Sequence, residues 1–182
     1  MSTKNLAGKR VAILATDGYE QSQLEGPRQA LKFVGAETVL VSPQLDSIKG
    51  WDKDQFGTPV KVDVPLAEAE YADYDALFIP DGVMNIDRLR QSSAAVEFVR
   101  LFFTGGKPVA TTCHGPLILI EANVVRARKV TSCPSIKVEL ANAGAIWCED
   151  AVVVDNGLIT SRGPDDMPAF SATMVEELWK RI

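Results

Sequence analysis

Residues 112–116 read Thr-Cys-His-Gly-Pro, and the nucleophile they offer is Cys113. The apolar run at 108–112 reads as a strand. Residues 116–122 read as a helix with Pro116 in its first turn, where a missing N–H leaves no hydrogen bond unmade. A strand that enters a helix through so few residues forces a tight, strained turn. The mechanics resemble those of a nucleophile elbow, without the Gly-x-Ser-x-Gly pattern. A thiol at that point faces free N–H groups and the positive end of a helix, both of which favour the thiolate. His114, the only histidine of the chain, adjoins it as a proton carrier or simply as a hydrogen-bonded residue at a helix start. Neighbours at i and i+1 do not face each other on a helix, so only a kink could bring the two side chains together. Cys133 and Cys148 read as small buried hydrophobes, leaving Cys113 as the one thiol expected to have thiolate character.

A carboxyl group for the same site is Glu20, which begins a helix just beyond the first strand. Protonated, it could donate a hydrogen bond to a thiolate; ionised, it could act as a general base. It could equally do no more than satisfy N–H groups at the helix start. Asp17-Gly-Tyr-Glu20 and Pro80-Asp-Gly82 each follow an apolar run, as Cys113-His-Gly115 does. Ligands of open α/β sheets bind beyond the carboxyl ends of the strands, so the three segments meet if their strands are neighbours.

The elements that must position these residues follow from periodicity. Residues 10–16 form a short apolar run suited to a strand buried on both faces. Residues 20–34 carry Leu24, Leu31 and Val34 at helical spacing and end at Gly35; residues 38–42 return as a strand. Residues 43–65 are a polar excursion that contains the alternating segment 60–64 and a small hairpin, with Trp51 and Phe56 on a partner surface or pinned to their own core. Strand–helix alternation resumes with 76–80, then 94–103, which Gly105-Gly106 terminates. Asp155-Asn-Gly157 is a hairpin turn between 152–154 and 158–160. A closing helix spans 165–182, with Met167, Phe170, Met174, Leu178 and Trp179 apolar. The pattern is α/β, a mainly parallel sheet with helices on both faces.

Composition narrows the function classes. The 182 residues, 46% hydrophobic, suit one domain over 1–182 with one substantial core. The net charge is −5 and the Lys and Arg residues are scattered, which disfavours nucleic-acid binding. Three cysteines and a single histidine predict neither a disulfide framework nor a metal site. The basic residues 1–10 lead into an apolar run too short for a signal peptide. No stretch approaches the roughly 18 apolar residues of a membrane span. The expected location is the cytoplasm.

These residues resemble the PfpI-type intracellular protease family, relatives of the parkinsonism-associated deglycase in the class I glutamine-amidotransferase-like superfamily. The resemblance runs over nearly the whole chain. It rests on Asp75-Ala-Leu-Phe-Ile-Pro-Asp-Gly82, Gly106-Lys-Pro-Val-Ala-Thr-Thr-Cys-His-Gly-Pro116 and Asn142-Ala-Gly144. It implies a three-layer, flavodoxin-like sandwich with Cys113 as nucleophile, His114 beside it and Glu20 hydrogen-bonded to the cysteine. It implies an oxyanion hole on the Pro80-Asp81-Gly82 loop, with Gly82 and His114 as donors. Asp87, contributed by the partner of a homodimer, would orient the histidine. Asp81 stands where the family has a glycine. An aspartate there is expected to strain a positive-φ backbone and to oppose developing negative charge. The activity implied is cofactor-independent glyoxalase or deglycase chemistry on small aldehydes or glycated groups, in a stress-protective role. The alternatives are a cysteine peptidase and a non-enzymatic oxidative-stress protein.

Overall fold

Seven strands pair into one sheet: β1 (Arg10–Leu14), β2 (Glu37–Ser42), β3 (Val64–Pro65), β4 (Ala76–Ile79), β5 (Val109–Thr112), β6 (Val152–Asp155) and β7 (Leu158–Ser161). Their spatial order is β6-β7-β5-β4-β1-β2-β3. All pairs are parallel except the hairpin β6–β7, whose turn places Asn156 and Gly157 at φ 45° and 85°. The structure is a computed structural model that describes residues 5–182; residues 1–4 of the basic N-terminal stretch lie outside it.

Six helices cover the sheet: α1 (Gln21–Phe33), α2 (Val83–Gln91), α3 (Ser93–Thr104), α4 (Pro116–Glu121), α5 (Lys137–Asn142) and α6 (Met167–Arg181). Side chains alternate across a strand, so each strand feeds two cores. Val11 and Ile13 pack with Leu24 and Leu31 of α1 and Phe170, Met174 and Leu178 of α6. Ala12 and Leu14 face the opposite layer, with Ile86 and Leu89 of α2, Phe98 and Phe102 of α3, and Ile118 and Leu119 of α4. α3 shows why these segments are helical: Ala95, Phe98, Val99 and Phe102 fall on one buried stripe, and Ser92 caps the start by accepting from the Ala95 N–H at 3.3 Å.

The chain runs from β1 outward to β2, then returns to place β4 on the other side of β1. The switch point of the sheet therefore lies between β1 and β4, and β5 is the next strand along. The three loops singled out from the sequence leave neighbouring strands at the same edge. Asn85 ties two of them together. It is fully buried, its Oδ1 accepting from the Thr16 N–H at 2.8 Å while its Nδ2 donates to the Pro80 carbonyl at 3.0 Å. Asn85→Leu strands both backbone groups, and we expect a loss of at least about 2 kcal/mol in unfolding stability by urea titration.

Several elements differ from the sequence reading. α2 and α5 were not expected; both are short, and each is fixed by what it packs on. The excursion over 43–65 does hold a small hairpin, Gly50–Asp52 with Gln55–Phe56. Val60–Lys61 pairs antiparallel with Ser47–Ile48, and Val64–Pro65 joins the main sheet as β3. Trp51 and Phe56 meet edge to face at 5.2 Å across the hairpin Gly50–Asp52/Gln55–Phe56, which runs beside Tyr19–Glu20. Among the described residues no helix is long and apolar enough to cross a membrane.

Candidate active site

Because β5 lies between β4 and β7, Thr112 delivers Cys113 to the middle of the sheet's carboxyl edge. Cys113 takes φ 53°, a left-handed conformation that costs a non-glycine residue about 1–3 kcal/mol. Backbone contacts hold it there. Its N–H donates to the Ser161 carbonyl at 2.9 Å, its carbonyl accepts from the Cys133 N–H at 3.3 Å, and the Gly115 N–H closes the turn onto the Thr112 carbonyl at 2.7 Å. Gly115 is required by close approach, since a Cβ there would collide with Thr111 Oγ1. The kink does what a regular helix cannot: Cys113 Sγ lies 3.4 Å from His114 Nδ1.

His114 finds its carboxylate within the chain. Asp81 Oδ1 lies 3.1 Å from His114 Nδ1 and accepts from the His114 backbone N–H at 3.0 Å; Gln23 Nε2 donates to Oδ2 at 2.9 Å. Burial works against the Asp81 charge, but the His114 ring, the backbone N–H groups of Gly82 and His114, and the charge on His114 hold its carboxyl below the usual range. In return the Asp81 hydrogen bond, helped by Cys133 and opposed by burial, raises His114 to about 10. The imidazole is thus a cation at neutral pH, able to donate a proton or to stabilise negative charge. Its contribution to stability is complete below about 6.5 and is lost as pH rises through about 10. As the only histidine, it gives a single set of ring resonances. We expect these to report a protonated ring at pH 8, and Asp81→Asn to bring the titration back toward 6.5.

Two expectations about this loop are corrected. Asp81 does not carry positive φ; Gly82 does, at 128°, where a Cβ would also collide with the Gly18 carbonyl oxygen. The Gly82 and His114 N–H groups, expected to form an oxyanion hole, are directed at the Asp81 carboxylate. A carboxylate with two oxygens and several donors in reach accepts them in preference to leaving them free.

Cys133, read from the sequence as a buried hydrophobe, belongs to the site. Ser135 Oγ lies 3.2 Å from Cys133 Sγ and 3.3 Å from His114 Nε2. Sulfur–sulfur hydrogen bonding with Cys113 lowers the Cys133 thiol to about 5, against burial and with help from His114 and Ser135. The same interaction, then burial and the Asp81 charge, pushes Cys113 up. The thiolate of the resting pair therefore settles on Cys133 beside the imidazolium, contrary to the expectation that Cys113 alone would have thiolate character. The ligand atoms of Cys113, His114 and Cys133 lie within 4.8 Å of one another, a donor set that could hold a soft cation where the histidine count had predicted no metal site.

Glu20 does not hydrogen-bond Cys113 among the described residues; its carboxylate accepts from Ser22 Oγ at 3.2 Å. It lines a cavity of about 240 Å³ with Gly18, Trp51, Asp81, Gly82, Val83 and Met84. Burial raises its pKa, against the Ser22 hydrogen bond and with the charges of Asp81 and Asp52 adding to the rise. Asp87 is exposed on α2, and its carboxylate accepts from Gln91 Nε2 at 3.0 Å rather than reaching His114 of its own chain. Gln23, Cys133 and Ser135 are the site residues that sequence reasoning missed, while Asp81 was placed at the site but read as opposing it. The available signals were a glutamine in the first turn after Glu20 and the polar run Thr131-Ser-Cys-Pro-Ser135 following a short strand.

A cysteine elbow at the carboxyl edge of a mainly parallel sheet, with an imidazole against its sulfur, defines the structural class of α/β protein to which this chain belongs. The chain belongs to the DJ-1/PfpI family, whose model matches residues 9–177. It is 38% identical over 164 residues to protein/nucleic acid deglycase 2 of Escherichia coli K12, covering 90% of this chain and 94% of that one. It is 39% identical over 166 residues to general stress protein 18 of Bacillus subtilis 168, with 90% and 94% covered. Among solved structures it resembles a two-domain protein with DJ-1/ThiJ/PfpI-like and ferritin-like domains from Anabaena variabilis. The TM-score is 0.88 at 34% identity, covering 93% of this chain and 48% of that one.

Proposed function

We propose that the chain is a cofactor-independent glyoxalase or deglycase that uses Cys113 to attack reactive aldehydes or early glycation products. The observation that carries this reading is the strained elbow that sets Cys113 Sγ 3.4 Å from an imidazolium whose carboxylate partner, Asp81, also lines the small cavity that holds Glu20. A proton passing from Cys113 to Cys133 frees the attacking thiolate. Its sulfur adds to the aldehyde carbon, and the carbonyl oxygen takes a proton from His114 to give a hemithioacetal. Glu20, whose pKa is raised, then moves the proton from that carbon to the neighbouring carbonyl carbon, while the hemithioacetal hydroxyl proton passes to the neighbouring oxygen. The resulting thioester is hydrolysed to the hydroxy acid. Glu20 and Asp81 are two carboxyls driven in opposite directions by their surroundings, which divides the work between proton transfer and charge support.

Peptide hydrolysis draws less support, because it needs open oxyanion donors and the His114 N–H already serves Asp81. The proposal includes a homodimer, which would bring Asp87 of one chain toward the site of the other; a monomer by light scattering at micromolar concentration would remove that part. Reduced protein incubated with methylglyoxal, without added cofactor, tests the main reading. We expect lactate to form catalytically. Peptide cleavage without lactate would overturn it.

A further inference from the structure

We infer that Cys133 is a resolving thiol, so that Cys113 and Cys133 together reduce hydroperoxides through a reversible disulfide. This activity is separate from the aldehyde chemistry, although both begin at Cys113.

The Cys133 N–H donates to the Cys113 carbonyl at 3.3 Å. That contact holds the two backbones side by side, as the short Cα separation of a disulfide requires. The two sulfurs already lie within 4.8 Å, and rotation about the Cα–Cβ bonds closes the rest. The loop that carries Cys133 is anchored rather than loose, since the Thr131 N–H donates to Thr160 Oγ1 of β7 at 2.9 Å. Cys113 is 7% exposed, while Cys133 is partly open to solvent, so an external thiol can reach the bridge. Cys148 has no place in the cluster: its Sγ contacts the Ile146 carbonyl.

The chemistry balances with a hydroperoxide as oxidant and a dithiol as reductant. The Cys113 thiolate attacks the terminal peroxide oxygen, the O–O bond breaks, and the alkoxide leaves as the alcohol after taking a proton. Cys113 is then a sulfenic acid. The Cys133 thiolate attacks the Cys113 sulfur, the S–O bond breaks, and hydroxide departs as water with a proton from His114, 3.4 Å from that sulfur. A dithiol supplies two electrons and two protons to reopen the bridge. Capture as a disulfide competes with over-oxidation of Cys113 to the sulfinic acid.

Peptide mapping of the full chain after limiting hydrogen peroxide, with a chelator present, tests the inference. We expect a Cys113–Cys133 crosslink, loss of two hydrogens from the intact mass, a free Cys148, and catalytic peroxide consumption once dithiothreitol is added. Cys133→Ser, shown to be folded by circular dichroism, should lose that consumption and accumulate oxygen on Cys113. Oxygen added to wild-type Cys113 without the crosslink, or a bridge through Cys148, would overturn the inference whatever the variant does. Failure here with lactate still produced would leave the aldehyde reading standing. A crosslink without lactate production would do the reverse.

Discussion

Cys113→Ala is expected to reduce methylglyoxal turnover to the uncatalysed background, a loss of about 10⁴-fold or more in kcat. The elbow has one functional product, a sulfur held at φ 53° against His114, and no other group can take that position. Cys133 is the obvious substitute, but its Sγ is engaged with Ser135. Cys113→Ser should be almost as damaging, because a hydroxyl cannot share the proton relay of the sulfur pair and remains protonated in the working range. Fold integrity is checked by urea titration. Both variants should stay close to wild-type stability, since the left-handed strain is unchanged and only the contacts of one sulfur are lost.

Glu20→Gln is the second large effect expected, about 10²–10⁴-fold in kcat with a smaller change in KM, because an amide keeps the size and loses the proton transfer. The pH dependence gives the sign. Glu20 must be ionised to take the proton from the hemithioacetal carbon, so kcat rises with pH through its folded pKa. Burial sets that value above the ordinary 4.5. Glu20→Gln should abolish this acid limb as well as lowering the plateau. An unchanged profile would return Glu20 to the helix start as no more than its first residue, with Ser22 as its sole partner.

Much of this was legible in the sequence because it depends on local pattern. Buried strands such as Arg10–Leu14 and Val109–Thr112, the turn residues that follow them, and the Cys-His-Gly-Pro step each declare themselves within a few residues. The sheet order that brings β1, β4 and β5 side by side is not local; it emerged only from packing. The same limit hid Cys133. A lone cysteine after a two-residue strand carries no signal until Thr160 and the Cys113 carbonyl are seen to hold its loop in place. Asp81 was visible as a residue but misread in its action, since whether a carboxylate opposes a site or supports it depends on where it points. It points at His114, with Gln23 behind it. Asp87 lies exposed on α2, the position that a role across a subunit boundary requires.

The central claim is that substrate carbon becomes bonded to Cys113. Rapid acid quench of the wild-type protein during methylglyoxal turnover, followed by mass mapping of the three cysteine-containing peptides, tests it most directly. The account predicts an adduct of one substrate mass on the Cys113 peptide, absent from Cys113→Ala and from the Cys133 and Cys148 peptides. Turnover with Cys113 unmodified, or with the adduct on Cys133, would contradict it.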